Sequence, residues 1–209
     1  EIGTLLSREE GKTLPEGIGE VIRSGQQFQY YAASALRQFG ENIASTRDGV
    51  SVEISREPVG VCGIISPWNF PIAIAAWKSA PAMAFGNAIV LKPASQTPAS
   101  AIALTKIISE QKEIPEGLFN LVLGGGGTIG HQMSGHSDIN AISFTGSVGV
   151  GQTIYMEAAK SMKKMQLEMG SKNPLLIMDD ADINIAVACA TNGAYGGTGQ
   201  KCTASSRLI

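Results

Sequence analysis

Apolar positions along this chain follow two regimes. Before Val50 they recur at helical spacing: Thr13, Pro15 and Glu16 form a capped helix start, and Val21, Ile22, Phe28, Tyr31, Ala32 and Leu36 supply one apolar face. The opening Glu1-Ile2-Gly3-Thr4-Leu5-Leu6 also reads as helix. After Val50, short runs at 59–65, 88–91, 118–123, 141–144 and 175–178 are apolar almost throughout, without alternation. Helical patterns fill the intervals at 72–85, 98–113, 127–134, 150–160 and 183–193, and 206–209 reads as the start of a further strand. Strands apolar on both sides must be buried on both faces. Alternating with helices, they predict an α/β fold, a Rossmann-like open parallel sheet with helices on both faces.

Composition narrows what such a fold can serve. The chain has 209 residues, 44% apolar and 16% charged, enough for one sizeable core and part of a second unit. A net charge of -2 gives no basic excess for nucleic acid or an anionic membrane, so neither is an expected partner. The longest apolar stretch, 70–91, is broken by Lys78, Pro81 and Gly86-Asn87, which argues against a membrane span. Three cysteines at unrelated spacings make neither a disulfide framework nor a zinc site. With no charged-then-apolar leader at the opening, the expected setting is cytoplasmic. His131 and His136 stand five apart without acidic or cysteine partners, so no metal is expected.

Candidate chemistry begins with Cys202. It follows the small-residue run Asn192-Gly193-Ala194-Tyr195-Gly196-Gly197-Thr198 and lies in Gly199-Gln200-Lys201-Cys202-Thr203-Ala204-Ser205-Ser206-Arg207. Glycines leave a side chain uncrowded, and Lys201 beside it favours a thiolate. Read alone, Cys202 is either a nucleophile or a plain loop cysteine; Cys62 and Cys189, each in an apolar run, read as buried thiols. Glu168, before Gly170, is either a carboxylate free to swing in a cleft or a solvated surface group. Asn69 carries an amide in the rigid turn Pro67-Trp68-Asn69-Phe70-Pro71, where an ordinary turn or cap role is the alternative. Phe70, Ile74 and Trp77 share one helix face, which is either core or cleft lining. Gly125, Gly127 and Gly130 match G-x-G-x-x-G, but no acidic residue stands at a strand end about 20 positions later.

Five segments appear in a telling order. They are Ser66-Pro67-Trp68-Asn69-Phe70-Pro71, Leu91-Lys92-Pro93-Ala94-Ser95-Gln96-Thr97-Pro98, Phe144-Thr145-Gly146-Ser147, Leu167-Glu168-Met169-Gly170-Ser171-Lys172-Asn173-Pro174 and the Cys202 segment. Together they resemble the NAD(P)-dependent aldehyde dehydrogenase superfamily over residues 1–209. The resemblance implies that Cys202 attacks an aldehyde and that Asn69, with the Cys202 backbone N–H, holds the resulting oxyanion. It makes Glu168 the base that activates water to release the acid; a member without this carboxylate would be expected to pass its acyl group to coenzyme A.

The same resemblance places the dinucleotide against Ile65, Ser66, Pro67 and Trp68, then Lys92, Ser95 and Gly125, then Phe144, Gly146, Ser147 and Met169. The pyrophosphate would lie on the 144–147 turn, where a strand feeds a helix N-terminus. Phe70, Ile74 and Trp77 would line the aldehyde tunnel. Many NAD-using relatives carry an acidic residue at the position of Ser95; serine permits NADP beside NAD. Met169 and Ser171 depart from the leucine and second glycine common in relatives. The spelling of 198–207 and 140–147 is most like bacterial 2,5-dioxovalerate (α-ketoglutaric semialdehyde) dehydrogenases, with succinate semialdehyde dehydrogenases next. A small semialdehyde is therefore the expected substrate; the reading from a different class is a non-catalytic nucleotide-binding protein. Members of the superfamily are more than twice this long. Residues 1–169 are thus expected to be an NAD(P)-binding domain lacking its N-terminal part, and 170–209 the start of a catalytic domain. The parent enzyme is expected to be a homodimer or homotetramer.

Overall fold

The structure, a computed structural model, describes residues 1–37 and 40–209. Two helices open it, α1 (Ile2–Glu10) and α2 (Leu14–Ala35). The capping box forms: Glu16 Oε2 accepts from the Thr13 N–H at 3.1 Å and from its hydroxyl at 2.8 Å. The predicted apolar face of α2 is only partly used. Val21 and Phe28 pack on the core, while Ile22 is 57% exposed and Leu36, beyond the helix, 89%. A hairpin that the apolar pattern did not announce follows, β1 (Glu41–Ala44) and β2 (Ser51–Ile54). All its strand residues are exposed, so burial leaves no mark on the sequence there.

Five parallel strands make the central sheet: β3 (Val61–Ile65), β4 (Ala88–Lys92), β5 (Phe119–Leu121), β6 (Ala141–Gly146) and β7 (Lys164–Met169), in the order β5-β4-β3-β6-β7. The crossovers are α3 (Ala73–Ala84), α4 (Pro98–Ser109), a wide helical turn at Gly126–Gly130 running into α5 (His131–Gly135), and α6 (Val148–Ala159). Successive residues of β3 face opposite sides, and two cores result. Ile64 joins Leu6, Ile72, Ile89, Leu91 and Leu104 on one side; Ile65 joins Met133, Ile142, Phe144 and Ile154 on the other. The predicted α/β sheet covered on both faces is therefore the fold.

Two details differ from the apolar pattern. The run at 118–123 yields only the three residues of β5. β7 was not expected, because its residues alternate: Met165, Leu167 and Met169 are half-buried and Lys164, Gln166 and Glu168 exposed. That period-two pattern is what an edge strand with one solvated face shows.

Beyond β7, β8 (Asn173–Leu175) pairs in parallel with β9 (Ser205–Leu208), and α7 (Ile183–Tyr195) lies between them in sequence. The strand expected at 175–178 is thus displaced, ending at Leu175. Asp182 caps α7, its Oδ1 accepting from Asn184 N at 2.8 Å and Ile185 N at 3.1 Å. Of the residues of α7 only Ala186 is buried, and Ile183, Ile185 and Val187 stand out in solvent. Among the described residues no helix is long and apolar enough to cross a membrane, and no group of three His, Cys, Asp or Glu could hold a metal ion.

Candidate active site

The sheet order reverses at β3, whose neighbours β4 and β6 run to opposite edges. Ligands of open α/β sheets bind outside the carboxyl ends of the strands at such a point. Here β3 ends at Ile65 and leads into Ser66-Pro67-Trp68-Asn69, while β6 ends at Gly146 and turns into α6 through Ser147. Ser147 caps α6 by accepting from Val150 N at 3.5 Å. Gly146 is required by packing: a Cβ there would sit 2.5 Å from Phe144 Cζ. Phe144 itself is 3% exposed, so it shapes the turn from beneath. A cleft of about 290 Å³ opens beside this turn, lined by Ile65, Gly126, Gly127, Gly130, Val150 and Ile154 among others.

Polar groups around the crevice are arranged unevenly. Ser66 Oγ is buried with no hydrogen-bond partner among the described residues. Lys92 is 3% exposed, and its ammonium donates to Pro93 O at 2.9 Å; burial pushes its pKa down. Ser95 is exposed, with its hydroxyl donated to Gly124 O at 3.2 Å next to Gly125. Met169 sits beneath the crevice. Its side chain turns into the second core, where its sulfur would lie 2.6 Å from a Cβ on Gly151, leaving only its backbone for a ligand.

Cys202 is brought to the end of β3 by polar anchors. Asn69 Nδ2 donates to Gln200 O at 2.7 Å, across 131 residues of sequence. Asn173 Nδ2 donates to Cys202 O at 2.6 Å and to Ala204 O at 3.2 Å. Glu16, on the first turn of α2, accepts from Gly197 N at 2.7 Å; that bond first, then the Thr13 hydroxyl, holds its carboxyl below the usual range. Between these anchors Gly197, Thr198 and Gly199 all have positive φ, at 62°, 58° and 71°. Threonine rarely occupies that region, and such strain gathers where the surroundings over-determine the backbone. Cys202 is exposed; Lys201 Nζ is engaged by Asn192 O at 3.0 Å. Cys62 is half-buried, its thiol pushed up by burial, while Cys189 is exposed on α7 and not the buried thiol expected.

Glu168 lies on the exposed face of β7, wired to residues that sequence reading passed over. Gln166 Nε2 donates to Glu168 Oε1 at 3.1 Å. The Gln166 carbonyl accepts from Lys78 Nζ at 2.8 Å and from the Ser143 hydroxyl, and Lys78 also donates to Ser143 Oγ at 2.7 Å. Burial pushes the Lys78 ammonium down to about 8, with the Glu168 charge opposing that shift. The signal available was the period-two spacing of Gln166 and Glu168, which puts both on one face of a strand.

A second cleft, of about 360 Å³, runs between α2 and α3 and reaches Gly197 and Lys201. Phe70 and Trp77 line it as expected from their spacing; Ile74 does not, being only 4% exposed, and Ala73 takes its place. Because α3 begins at Ala73, Phe70 belongs to the turn before the helix, and the simple face that places Ile74 with it does not hold. Buried Lys12 braces this end. It pairs with Glu20, donates to Asn69 O at 2.9 Å and stands 4.1 Å over the Phe70 ring.

A parallel sheet with its crevice at the strand reversal thus stands beside a cysteine-bearing loop that is tied at Gln200 O to the turn asparagine Asn69. Residues 1–209 match the aldehyde dehydrogenase family. The chain belongs to the aldehyde dehydrogenase family. It is 46% identical over its whole length to the alpha-ketoglutaric semialdehyde dehydrogenase of Bacillus subtilis strain 168, covering 43% of that protein. It is 43% identical to the betaine aldehyde dehydrogenase of the same organism, again over the whole chain and 42% of the relative. Among solved structures, betaine aldehyde dehydrogenase from Staphylococcus aureus in complex with NAD+ superposes with a TM-score of 0.96 at 40% identity, over 99% of this chain and 41% of that one. An NADP dependent enzyme of E. coli gives the same TM-score at 36% identity, over 99% of this chain and 43% of that one. The chain thus spans about two fifths of the length of these relatives.

Proposed function

We propose that the protein containing this chain oxidises a small semialdehyde, such as 2,5-dioxovalerate, to its acid with NAD or NADP, using Cys202 as nucleophile. The observation that carries this reading is the 2.7 Å bond from Asn69 to Gln200 O, which ties the asparagine to the cysteine loop. An aldehyde carbon is planar and gives up no hydride readily. Addition of the Cys202 thiolate makes it tetrahedral and places negative charge on oxygen. An asparagine amide carries two N–H donors, and Asn69 spends one on Gln200 O. The second has no acceptor among the described residues and serves the oxyanion, together with the backbone N–H of Cys202.

The sheet crevice suits a dinucleotide. Unpartnered Ser66 Oγ, the buried Lys92 ammonium and the exposed first turn of α6 supply donors, and the cleft beside Ile65 supplies apolar walls. Bound there, the cofactor would supply the hydride acceptor that converts the adduct on Cys202 to a thioester. Glu168 then draws a proton from water, which attacks the thioester and releases the acid. Gln166 orients that carboxylate, and Lys78 supports its charge. Ser95 puts no carboxylate where a 2′-phosphate would lie, so NADP is accepted beside NAD; its hydroxyl must leave Gly124 O to meet the ribose. Residues 1–169, which end with the last strand of the large sheet, serve as the NAD(P)-binding domain, and 170–209 begin the catalytic one. The parent enzyme is read as a cytoplasmic homodimer or homotetramer.

Cys202→Ser in the full-length protein tests the reading. A hydroxyl without its own base is a poor nucleophile, so turnover falls by at least about 10⁴-fold while cofactor binding, followed by fluorescence titration, is retained. Normal turnover by that variant overturns the assignment.

A further inference from the structure

The cleft between α2 and α3 contains a cation that the reaction chemistry does not use. Arg23 lies one helical turn after Gly19 on α2, and both line the cleft with Ala73 and Trp77 of α3. Arg23 is exposed, and among the described residues its guanidinium has neither an ion pair nor a hydrogen bond. The other charges of the cleft are engaged. Lys12 holds Glu20 and Asn69 O, Glu16 holds Gly197 N, and Lys201 holds Asn192 O. The lining therefore carries three cations, Lys12, Arg23 and Lys201, against two carboxylates, Glu16 and Glu20. Glu10, 3.8 Å from Lys12, lies outside the lining, and burial pushes its carboxyl towards the neutral form. One positive charge is left over, and of the three cations Arg23 is the one without any partner among the described residues.

Glu20 fixes where that charge sits. Its Oε1 accepts from Ile72 N at 3.2 Å and Ala73 N at 3.0 Å, pinning the middle of α2 to the start of α3. Lys12, before α2, reaches Asn69 itself, so both helices advance away from Asn69 and the cysteine loop. About one turn beyond this pin, α2 presents Arg23 and α3 presents Trp77.

We propose that Arg23 binds the distal carboxylate of the aldehyde substrate, with the chain of the substrate lying along Phe70 and Trp77 and its aldehyde end at Asn69 and Cys202. The planar guanidinium matches a carboxylate with two parallel hydrogen bonds, which a neutral aldehyde cannot accept at that end. Arg23 is thus a specificity-determining residue for ω-carboxylated aldehydes. This rests on the dehydrogenase reading above and adds the group that selects the substrate class.

Steady-state kinetics of the full-length protein test it, comparing 2,5-dioxovalerate with pentanal, which has the same chain length and no carboxylate. Removing a charge-assisted pair should raise KM for 2,5-dioxovalerate about 10- to 100-fold in Arg23→Gln. Pentanal kinetics should change less than about threefold, which also shows that the variant is folded. Arg23→Lys, keeping the charge without the fork, should recover part of the loss. If the wild type prefers 2,5-dioxovalerate and Arg23→Gln keeps that preference, the semialdehyde reading stands and the role of Arg23 is refuted. If the wild type oxidises pentanal at least as well as 2,5-dioxovalerate, or oxidises neither, both fall together.

Discussion

The nucleotide side and the thiol side of this molecule are held by different forces. The crevice at β3 and β6 rests on two apolar cores, and its shape follows from residues such as Ile64, Ile65, Ile142 and Phe144 that are nearly inaccessible. The cysteine loop rests on hydrogen bonds donated by Asn69 and Asn173 and one accepted by Glu16, and its supporting helix α7 buries only Ala186. Burial scales with area removed from water and tolerates small displacements. A few polar anchors fix a backbone position but contribute modestly to stability. The molecule thus combines a platform held by burial with a loop held by a few polar anchors.

Core truncation gives the largest contrast. In this 209-residue chain Ile142→Ala, at a site 1% exposed, should cost about 2–5 kcal/mol in denaturant unfolding. Ile185→Ala, 64% exposed on α7, should stay within about 0.5 kcal/mol. Similar losses at both sites would remove the distinction between the two regions.

The anchors should show the reverse pattern, in rate and not in stability. Asn69→Ala in the full-length protein is expected to lower kcat about 10²- to 10³-fold, the cost of the oxyanion donor proposed for it. Asn173→Ala, which releases Cys202 O and Ala204 O, should cost about 10- to 100-fold through misplacement of the thiol. An Asn173 variant with unchanged kcat would mean that the loop is placed by something other than these bonds.

Lys78 makes the comparison testable through pH. Its ammonium, pushed down to about 8 from an ordinary 10.5, binds fewer protons in the folded chain than in the unfolded one between those values. Stability from this group therefore rises with pH across that window, by at most about 1.4 kcal/mol per pH unit. Lys78→Met should flatten that slope, measured by urea unfolding at pH 8, 9 and 10. A slope unchanged by the substitution would assign it to other groups.

The parts legible in the sequence divide along the same line. Apolar runs announced β3, β4, β6 and the helices around them, because burial on both faces demands such runs. Segments without that demand went unseen: the fully exposed hairpin of Ile43 and Val52, and the edge strand carrying Gln166 and Glu168. Cys202, Asn69 and Glu168 stand out as candidates from their own surroundings. Their supports Asn173, Lys78 and Ser143 do not, since what they do depends on partners tens of residues away. Ile74 shows the converse failure, where helical spacing was extended into a turn preceding the helix.

Catalysis by Cys202 and Glu168 is tested most directly by the fate of the acyl group. Glu168→Gln, which keeps the Gln166 contact but cannot take a proton, should let the full-length protein react once with aldehyde and NAD or NADP and then stall. Intact-protein and peptide mass spectrometry after one turnover should then find the acyl mass on Cys202, with a burst of reduced cofactor matching the number of sites. Steady turnover without an adduct, or an adduct on Cys62 or Cys189, would contradict it.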